Sequence, residues 1–201
     1  MIAIVDYGMG NVTSARMALE HVGAEVELTD DRGTISAADG VVLPGVGAFP
    51  RAMEELDRRG LVEAIREYSL TGPLLGICLG MQLLFESSTE LGGADGLQLL
   101  EGRVEALGGE GVKVPQIGWN DVAWSDGAPL TDCLPEHTPM YHVHSFAARP
   151  RDESVVIGTA DYGERFATAV AHENIYGVQF HPEKSSTHGL GLLANFVRLA
   201  S

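Results

Sequence analysis

Residues 74–80 of the chain are Leu74-Leu75-Gly76-Ile77-Cys78-Leu79-Gly80. The apolar run from Leu74 to Ile77 follows a proline and is typical of a buried strand, whereas the pattern from Leu79 to Glu86 predicts a helix. Between them, Cys78 lies in a turn bounded by two glycines. The segment therefore predicts a strand, a sharp turn and a helix.

Similar units precede this segment. They alternate short β-rich runs with helical patterns, at residues 2–6, 11–22, 25–28, 41–43, 49–59 and 61–69. Such alternation predicts βαβ units and an α/β fold, with a central, mostly parallel sheet flanked by helices.

The second half of the chain has shorter segments, which are broken by Gly, Pro and Asp. They lie at residues 104–107, 141–146, 155–160, 167–172 and 175–180, and an apolar-rich helical pattern follows at 190–199. These segments predict an additional antiparallel portion of the sheet. Because we find no linker or internal repeat in the 201 residues, we expect a single domain over residues 1–201.

Composition excludes several classes of partner. The formal net charge is −15, from 28 acidic and 13 basic residues, and such a surface repels nucleic acid and anionic lipid. No apolar run approaches the roughly 20 residues that span a bilayer, and the N-terminus lacks the features of a signal peptide. The two cysteines lie in unlike settings and do not suggest a disulfide framework. We therefore expect a cytoplasmic protein that binds neither nucleic acid nor membrane.

The spacing Gly76-x-Cys78-x-Gly80 is the cysteine counterpart of the elbow that presents a catalytic serine in hydrolases. A cysteine at the start of a helix meets the positive end of the helix dipole, which favours the thiolate. The backbone N–H of Leu79 is free to stabilise an oxyanion. The alternative is a small buried cysteine with a structural role, and the motif alone does not decide between them.

The second motif is His181-Pro182-Glu183, at the end of an apolar strand. Residues two apart on an extended chain lie on the same side, so a carboxylate stands beside the imidazole. Such a carboxylate fixes the tautomer of the histidine and stabilises its cation. The pair suits a general base for Cys78, although without a thiol partner a His–Glu pair at a surface strand end would be the better interpretation.

The third motif is Pro44-Gly45-Val46-Gly47, directly after the apolar strand at 41–43. Glycines at the carboxyl edge of a sheet let backbone amides adopt unusual orientations. The N–H groups of Gly45 and Val46 are therefore candidates to complete an oxyanion hole with Leu79. The alternative is a simple turn before the helix at 49–59.

Together, these motifs resemble those of the class I, triad-type glutamine amidotransferases. Within that family, six segments resemble the glutaminase subunits of imidazole glycerol phosphate synthase, an enzyme of histidine biosynthesis: Asp6–Asn11, Pro44–Phe49, Gly76–Glu90, Pro115–Asn120, Tyr141–Phe146 and Gly177–Ser186. The resemblance implies that Cys78 attacks the side-chain amide of glutamine, with His181 and Glu183 completing the triad. Ammonia leaves, and water hydrolyses a γ-glutamyl thioester.

The resemblance also implies further sites and a partner. It places Gly47, Gln82, Ser145 and Phe146 around the glutamine. It places Asn11 and Trp119 at the face toward a separate (β/α)8-barrel cyclase subunit, with which the chain would form a heterodimer. The cyclase uses the ammonia to make imidazole glycerol phosphate and an aminoimidazole carboxamide ribonucleotide. No cofactor is implied.

The sequence departs from the family pattern at two positions. Gln116 stands where a histidine is common, and Phe146 stands where a tyrosine is common. These departures put contacts at the partner interface and one polar group near the substrate in doubt.

Other interpretations are weaker. His142 and His144 share one face of a strand and could be joined with His172 in a zinc site, but no further ligand spacing supports one, and we expect no metal. Within enzymes, the rival is a triad glutaminase that serves another synthase, which the Gly-Trp-Asn and Tyr-x-Val-His-Ser segments disfavour. A subunit that only binds, or a peptidase with the same elbow, fits the complete Cys, His and Glu set less well.

Overall fold

The computed structural model of the protein describes residues 1–109, 111–125 and 127–201. The helices are α1 (Val12–His21), α2 (Arg32–Ala37), α3 (Phe49–Arg58), α4 (Leu61–Ser69), α5 (Leu79–Leu83) and α6 (Ser186–Leu199). The strands are β1 (Ile2–Val5), β2 (Val26–Thr29), β3 (Gly40–Gly45), β4 (Leu74–Cys78), β5 (Phe85–Ser88), β6 (Ala94–Asp95), β7 (Leu100–Ala106), β8 (Gln116–Trp124), β9 (His137–His144), β10 (Phe146–Pro150), β11 (Val156–Asp161), β12 (Arg165–His172) and β13 (Ile175–Val178).

The strands form one mixed sheet. Its main path runs β2-β1-β3-β4-β13-β12-β10-β7-β5-β6, and β11, β8 and β9 branch from β12. The strands from β2 to β13 along this path pair in parallel. Beyond β13 the pairing is antiparallel, apart from the parallel pair of β5 and β7. The predicted α/β fold with an antiparallel portion is therefore confirmed.

Helices cover both faces of the parallel half. Alternate residues of β1 face opposite sides, so that Val5 packs in the cluster that contains α3 and α4, whereas Ile4 packs in the cluster that contains α1 and α6. Strands buried on both faces need continuous apolar runs, which explains why β1, β3 and β4 show no polar alternation. No helix in the described ranges is long and apolar enough to cross a membrane.

The predicted helix from Leu79 to Glu86 was wrong at its C-terminal end. The helix ends at Leu83, and β5 begins at Phe85. Carbonyls of this run accept hydrogen bonds from residues 96–98 instead of from a further helical turn. Leu97 N–H donates to Leu83 O at 2.8 Å, and Gly96 N–H donates to Glu86 O at 2.9 Å. Pairing with a distant segment therefore overrides the local helical propensity of this run.

Further elements also differ from the prediction. The short helix α2 was not predicted, and its N-cap is Asp31, whose side chain accepts a hydrogen bond from Thr34 N–H. The strand β8 was not predicted either. The strand expected over 141–146 is divided by a bend at Ser145 into β9 and β10.

Candidate active site

Cys78 is the last residue of β4 and the N-cap of α5. Its backbone has φ 56° and ψ −110°, a region that residues with a side chain rarely adopt, at a cost of about 1–3 kcal/mol. The turn also needs close backbone packing, because a Cβ added to Gly80 would overlap the carbonyl of Leu43. The predicted strand, sharp turn and helix are confirmed, and the thiol of Cys78 is almost fully buried.

His181 and Glu183 follow β13 along the chain and are buried together. The imidazole Nδ1 lies 2.8 Å from Glu183 Oε1. Because a carboxylate accepts, Nδ1 carries the hydrogen and Nε2 is left for the thiol. The backbone of His181 is fixed on both sides, since its N–H donates to Tyr141 O at 2.8 Å and its carbonyl accepts from Ser185 Oγ at 2.7 Å.

The electrostatics of this pair favour a charged imidazole. Burial by itself lowers the pKa of His181, but hydrogen bonds to Cys78 and Glu183 and the negative charges of these two groups outweigh it and raise the pKa to about 10. At neutral pH the imidazole therefore holds a proton and places a positive charge beside Cys78.

The thiol faces a cavity of about 340 Å³, which is large enough for a small ligand. The cavity is lined by Val46, Gly47, Cys78, Leu79, Gln82, Glu90, Pro115, Val143, His144, Ser145, Phe146, His181 and Lys184. Every residue predicted to surround a substrate is in this set. Of the other predicted residues, Glu183 and Gly45 lie behind the cavity wall, and Asn11 and Trp119 do not line it.

The segment predicted to donate to an oxyanion lies beside the thiol. Gly45 pairs in register with Cys78 across β3 and β4. The hydroxyl of Tyr7 donates to Pro44 O at 3.0 Å, and burial, followed by the charge of Cys78, raises the pKa of Tyr7 and keeps it a donor. Because a trans peptide is planar, fixing the Pro44 carbonyl toward Tyr7 directs the Gly45 N–H to the opposite side, where β4 lies.

Gln82 is held by hydrogen bonds that limit what it can offer a ligand. Its Nε2 donates to Phe146 O at 3.0 Å and to Gln179 Oε1 at 2.9 Å. Both hydrogens of this amide are therefore used, and only Oε1 remains, as an acceptor.

The two histidines of β9 are buried and fully hydrogen-bonded. His142 contacts Met140 O and Thr168 Oγ1, at 3.0 and 2.7 Å. His144 contacts Phe146 O and the Gln116 side chain, at 2.8 and 2.9 Å. Within the described residues no group of three side chains has the arrangement of a metal site. Gln116 departs from the family pattern at a position that we associated with the partner interface. In the structure its side chain is buried and contacts His144.

Burial dominates the ionisation of both rings. Burial, together with the nearby His144 and His181, lowers the pKa of His142 to about 3. Burial and the charge of His181 lower the pKa of His144 to about 4. Both rings are therefore neutral at pH 7.

Sequence reasoning missed several residues of the site, among them Gln179, Lys184, Glu90 and Tyr7. Gln179 and Lys184 flank the His-Pro-Glu motif, so their position in the chain was an available signal. Glu90 lines the cavity and accepts a hydrogen bond from Phe49 N–H at 2.8 Å, and Tyr7 follows β1. The last two lie far along the chain from the residues they contact, and no local pattern marks them.

The chain matches the family "Glutamine amidotransferase class-I" over residues 3–200. It belongs to the class I glutamine amidotransferases. It is 54% identical over 199 residues to "Imidazole glycerol phosphate synthase subunit HisH" of Moorella thermoacetica, covering 98% of this chain and 94% of the relative. It is 50% identical over 197 residues to the subunit of the same name from Bacillus cereus, covering 98% of this chain and 93% of the relative.

Solved structures agree on the fold. The chain superposes on "Structure of PurLQS from Thermotoga maritima" with a TM-score of 0.78 and 20% identity, covering 98% of this chain and 97% of that one. A structure described as "Crystal structure of glutamine amidotransferase" gives a TM-score of 0.77 at 20% identity, with 100% and 99% covered. At this identity the likeness concerns the fold alone.

The raised pKa of His181 can be tested by NMR titration of its imidazole. Cys78→Ala removes the hydrogen bond that does most to raise this pKa, so the midpoint should fall from about 10 toward 6.5, by about one unit or more. Cys133→Ala, which removes the exposed cysteine, should leave it unchanged. An unaltered midpoint in Cys78→Ala would show that the side chain of Cys78 does not raise the pKa of His181.

The hydrogen bond from Tyr7 can be tested with a matched control. Tyr7→Phe leaves the buried Pro44 carbonyl without a donor, which should cost about 1–3 kcal/mol of unfolding free energy and also lower kcat for glutamine hydrolysis. Tyr68 also donates its hydroxyl to a backbone carbonyl, that of Ala38, but lies outside the cavity. Tyr68→Phe should therefore lose stability in urea unfolding and keep its kcat; an equal loss of kcat in both variants would contradict the positioning role of Tyr7.

Proposed function

We propose that this chain, as a single domain over residues 1–201, is the glutaminase subunit of an imidazole glycerol phosphate synthase. It hydrolyses glutamine to glutamate and ammonia, and the ammonia passes to a separate (β/α)8-barrel cyclase subunit. The observation that carries the proposal is the buried Cys78, His181 and Glu183 arrangement at a glutamine-sized cavity. Relatives about half identical over nearly the whole chain carry the name of that subunit.

The first chemical step is attack by sulfur, while His181 keeps its proton for the second step. The Cys78 thiolate attacks the side-chain amide carbon of glutamine, a C–S bond forms, and the carbonyl electrons move to oxygen. Leu79 and Val46 line the cavity and Gly45 lies behind its wall, and their backbone N–H groups are the ones we assign to stabilise this oxyanion.

The second step releases ammonia. Nε2 of His181 delivers its proton to the amide nitrogen, the C–N bond breaks, and a γ-glutamyl thioester remains. The neutral imidazole then takes a proton from water, the resulting hydroxide attacks the thioester, and glutamate leaves as the C–S bond breaks. Glu183 holds the ring through Nδ1 in both steps and stabilises its cation.

The cavity offers contacts for the rest of the glutamine. Gly47, Ser145 and Phe146 surround the substrate, and Gln82 accepts from a donor group on it through Oε1. The carboxylate of Glu90 suits the α-ammonium group of the amino acid. Since Phe146 has no hydroxyl and its backbone carbonyl already accepts from Gln82 and His144, it contributes shape rather than a hydrogen bond to the substrate. No cofactor is needed for these steps.

Exposed apolar side chains support a docking face for the cyclase subunit. Trp119 and Ile117 are 55% and 62% exposed and share one face of β8. Trp119 packs edge-on against Tyr141, with ring centroids 6.0 Å apart. Asn11, the N-cap of α1, lies near Gly45, and we assign it to the cyclase interface as well. Such a heterodimer would work in the cytoplasm.

The function can be tested by mixing the chain with a (β/α)8-barrel cyclase and following imidazole glycerol phosphate formation. Glutamine should support product formation in the mixture. Cys78→Ala should abolish it with glutamine and preserve it with ammonium salt, because only the glutaminase step is lost. Cys133→Ala is the matched control and should retain full activity with glutamine. Glutamine-dependent product from the Cys78→Ala mixture would refute the assigned nucleophile.

The docking face makes a separate prediction. Buried aromatic anchors carry much of the energy of an interface, so Trp119→Ala should weaken cyclase binding by about 2 kcal/mol, roughly 30-fold in Kd. Leu70 is 80% exposed at the end of α4, and Leu70→Ala is the control that should not change Kd. Titration calorimetry measures both. Equal affinities of the two variants would place the partner on another surface.

A further inference from the structure

Gln179 lies between β13 and His181, and its side chain is 0% exposed. Its backbone N–H donates to Thr168 O at 2.8 Å, so the residue is fixed from the main chain outward. Its side-chain Nε2 lies 3.8 Å from Cys78 Sγ, within the range of a hydrogen bond to sulfur. The amide therefore touches the reacting atom, and the mechanism above does not use it.

The orientation of this amide is imposed by its neighbours. A backbone carbonyl can only accept, so the group that Gln82 turns to Phe146 O at 3.0 Å must be its NH2. The other hydrogen of that NH2 points to Gln179 at 2.9 Å, which must present its oxygen. The NH2 of Gln179 is then left on the side of the thiol.

The carbonyl of Phe146, which accepts from Gln82, also accepts from a second donor. His144 Nδ1 lies 2.8 Å from Phe146 O and, since the ring is neutral with Nδ1 facing a carbonyl, it donates. The Phe146 carbonyl is therefore bonded by two donors and held in place by β10. A rotation of the Gln179 amide by half a turn would leave two NH2 groups facing each other, that of Gln179 and that of Gln82.

A third polar group near the sulfur, the carbonyl of Val143, has the opposite preference. Val143 O lies 3.8 Å from Cys78 Sγ and can accept from the protonated thiol. When the sulfur is a thiolate, this carbonyl repels it, whereas an N–H group attracts it. Gln179 faces the sulfur with an N–H donor, and its attraction for the thiolate offsets the repulsion from the Val143 carbonyl.

We propose that Gln179 is a further catalytic residue, whose NH2 stabilises the Cys78 thiolate in an orientation imposed by Gln82 and the Phe146 carbonyl. The proposal rests on the proposed function, in which Cys78 is the nucleophile. His181 supplies the positive charge that draws the proton from sulfur, and Gln179 supplies a neutral donor that remains after His181 has passed its proton to ammonia. Gln179 would thus also stabilise the thiolate when it leaves the thioester.

The test is the rate at which iodoacetamide alkylates Cys78 in the full chain at pH 7. The thiolate sulfur displaces iodide, so the rate follows the thiolate fraction. Gln179→Met keeps the length of the side chain without a donor and should slow alkylation about 10-fold. Gln179→Glu places a carboxylate at the sulfur and should slow it further. Cys133, which is exposed, is read in the same peptide digest and should react at an unchanged rate in every variant.

Turnover distinguishes this role from simple packing. With the cyclase present, Gln179→Met should lower kcat for glutamine about 10-fold and leave KM within about 2-fold, because Gln179 does not line the cavity. A second variant keeps the test valid if Gln179→Met does not fold. Gln82→Met frees the Gln179 amide to rotate, and Cys78 should again be alkylated more slowly.

Two outcomes would overturn the proposal. One is alkylation of Cys78 at the wild-type rate in folded Gln179→Met, or in Gln82→Met if the first variant is unfolded. The other is a raised KM at constant kcat in Gln179→Met. Alkylation needs neither glutamine nor cyclase, so an inactive wild-type mixture would refute the proposed function while the alkylation result still decides the role of Gln179.

Discussion

The backbone of Cys78 is held at a positive φ between β4 and α5, and the rest of the site is arranged around it. This conformation costs about 1–3 kcal/mol, which the fully buried parallel strands on either side offset. The close packing of Gly80 against the Leu43 carbonyl fixes the direction in which α5 leaves the turn. A relaxed backbone at this turn would move the sulfur away from His181 and from Gly45 together.

Parallel strands explain why residues distant in sequence meet at this turn. β1, β3, β4 and β13 all end at the same edge of the sheet, and they bring Tyr7, Pro44, Cys78 and Gln179 to it. The antiparallel half contributes the opposite wall, because the bend at Ser145 between β9 and β10 directs Val143 and Phe146 into the cavity. The cavity therefore lies where the parallel and antiparallel halves of the sheet meet.

The parts of the site that sequence reasoning could predict are those with a local signal. Cys78 between its glycines and His181 two residues from Glu183 carry their chemistry in a short motif. The contact of Gln82 with Gln179 joins residues 97 positions apart, and that of Tyr7 with Pro44 joins residues 37 apart, so no motif contains either. The same limit explains why the helix after Cys78 was predicted too long, since residues 96–98 end it. Family resemblance indicated that Gln82 lies in the site, but only the hydrogen bonds show which of its atoms remains free.

Two groups of different kinds act on the sulfur of Cys78. The positive charge on His181 is stabilised by Cys78 and Glu183, and it is also one of the causes that lower the pKa values of His142 and His144. Because a backbone carbonyl only accepts, Phe146 O takes hydrogens from His144 Nδ1 and Gln82 Nε2, and it thereby sets the direction of Gln82 and then of Gln179. The sulfur thus has a cation beside it in His181 and a neutral donor in Gln179, and the direction of that donor depends on the Phe146 carbonyl rather than on the charge of His144.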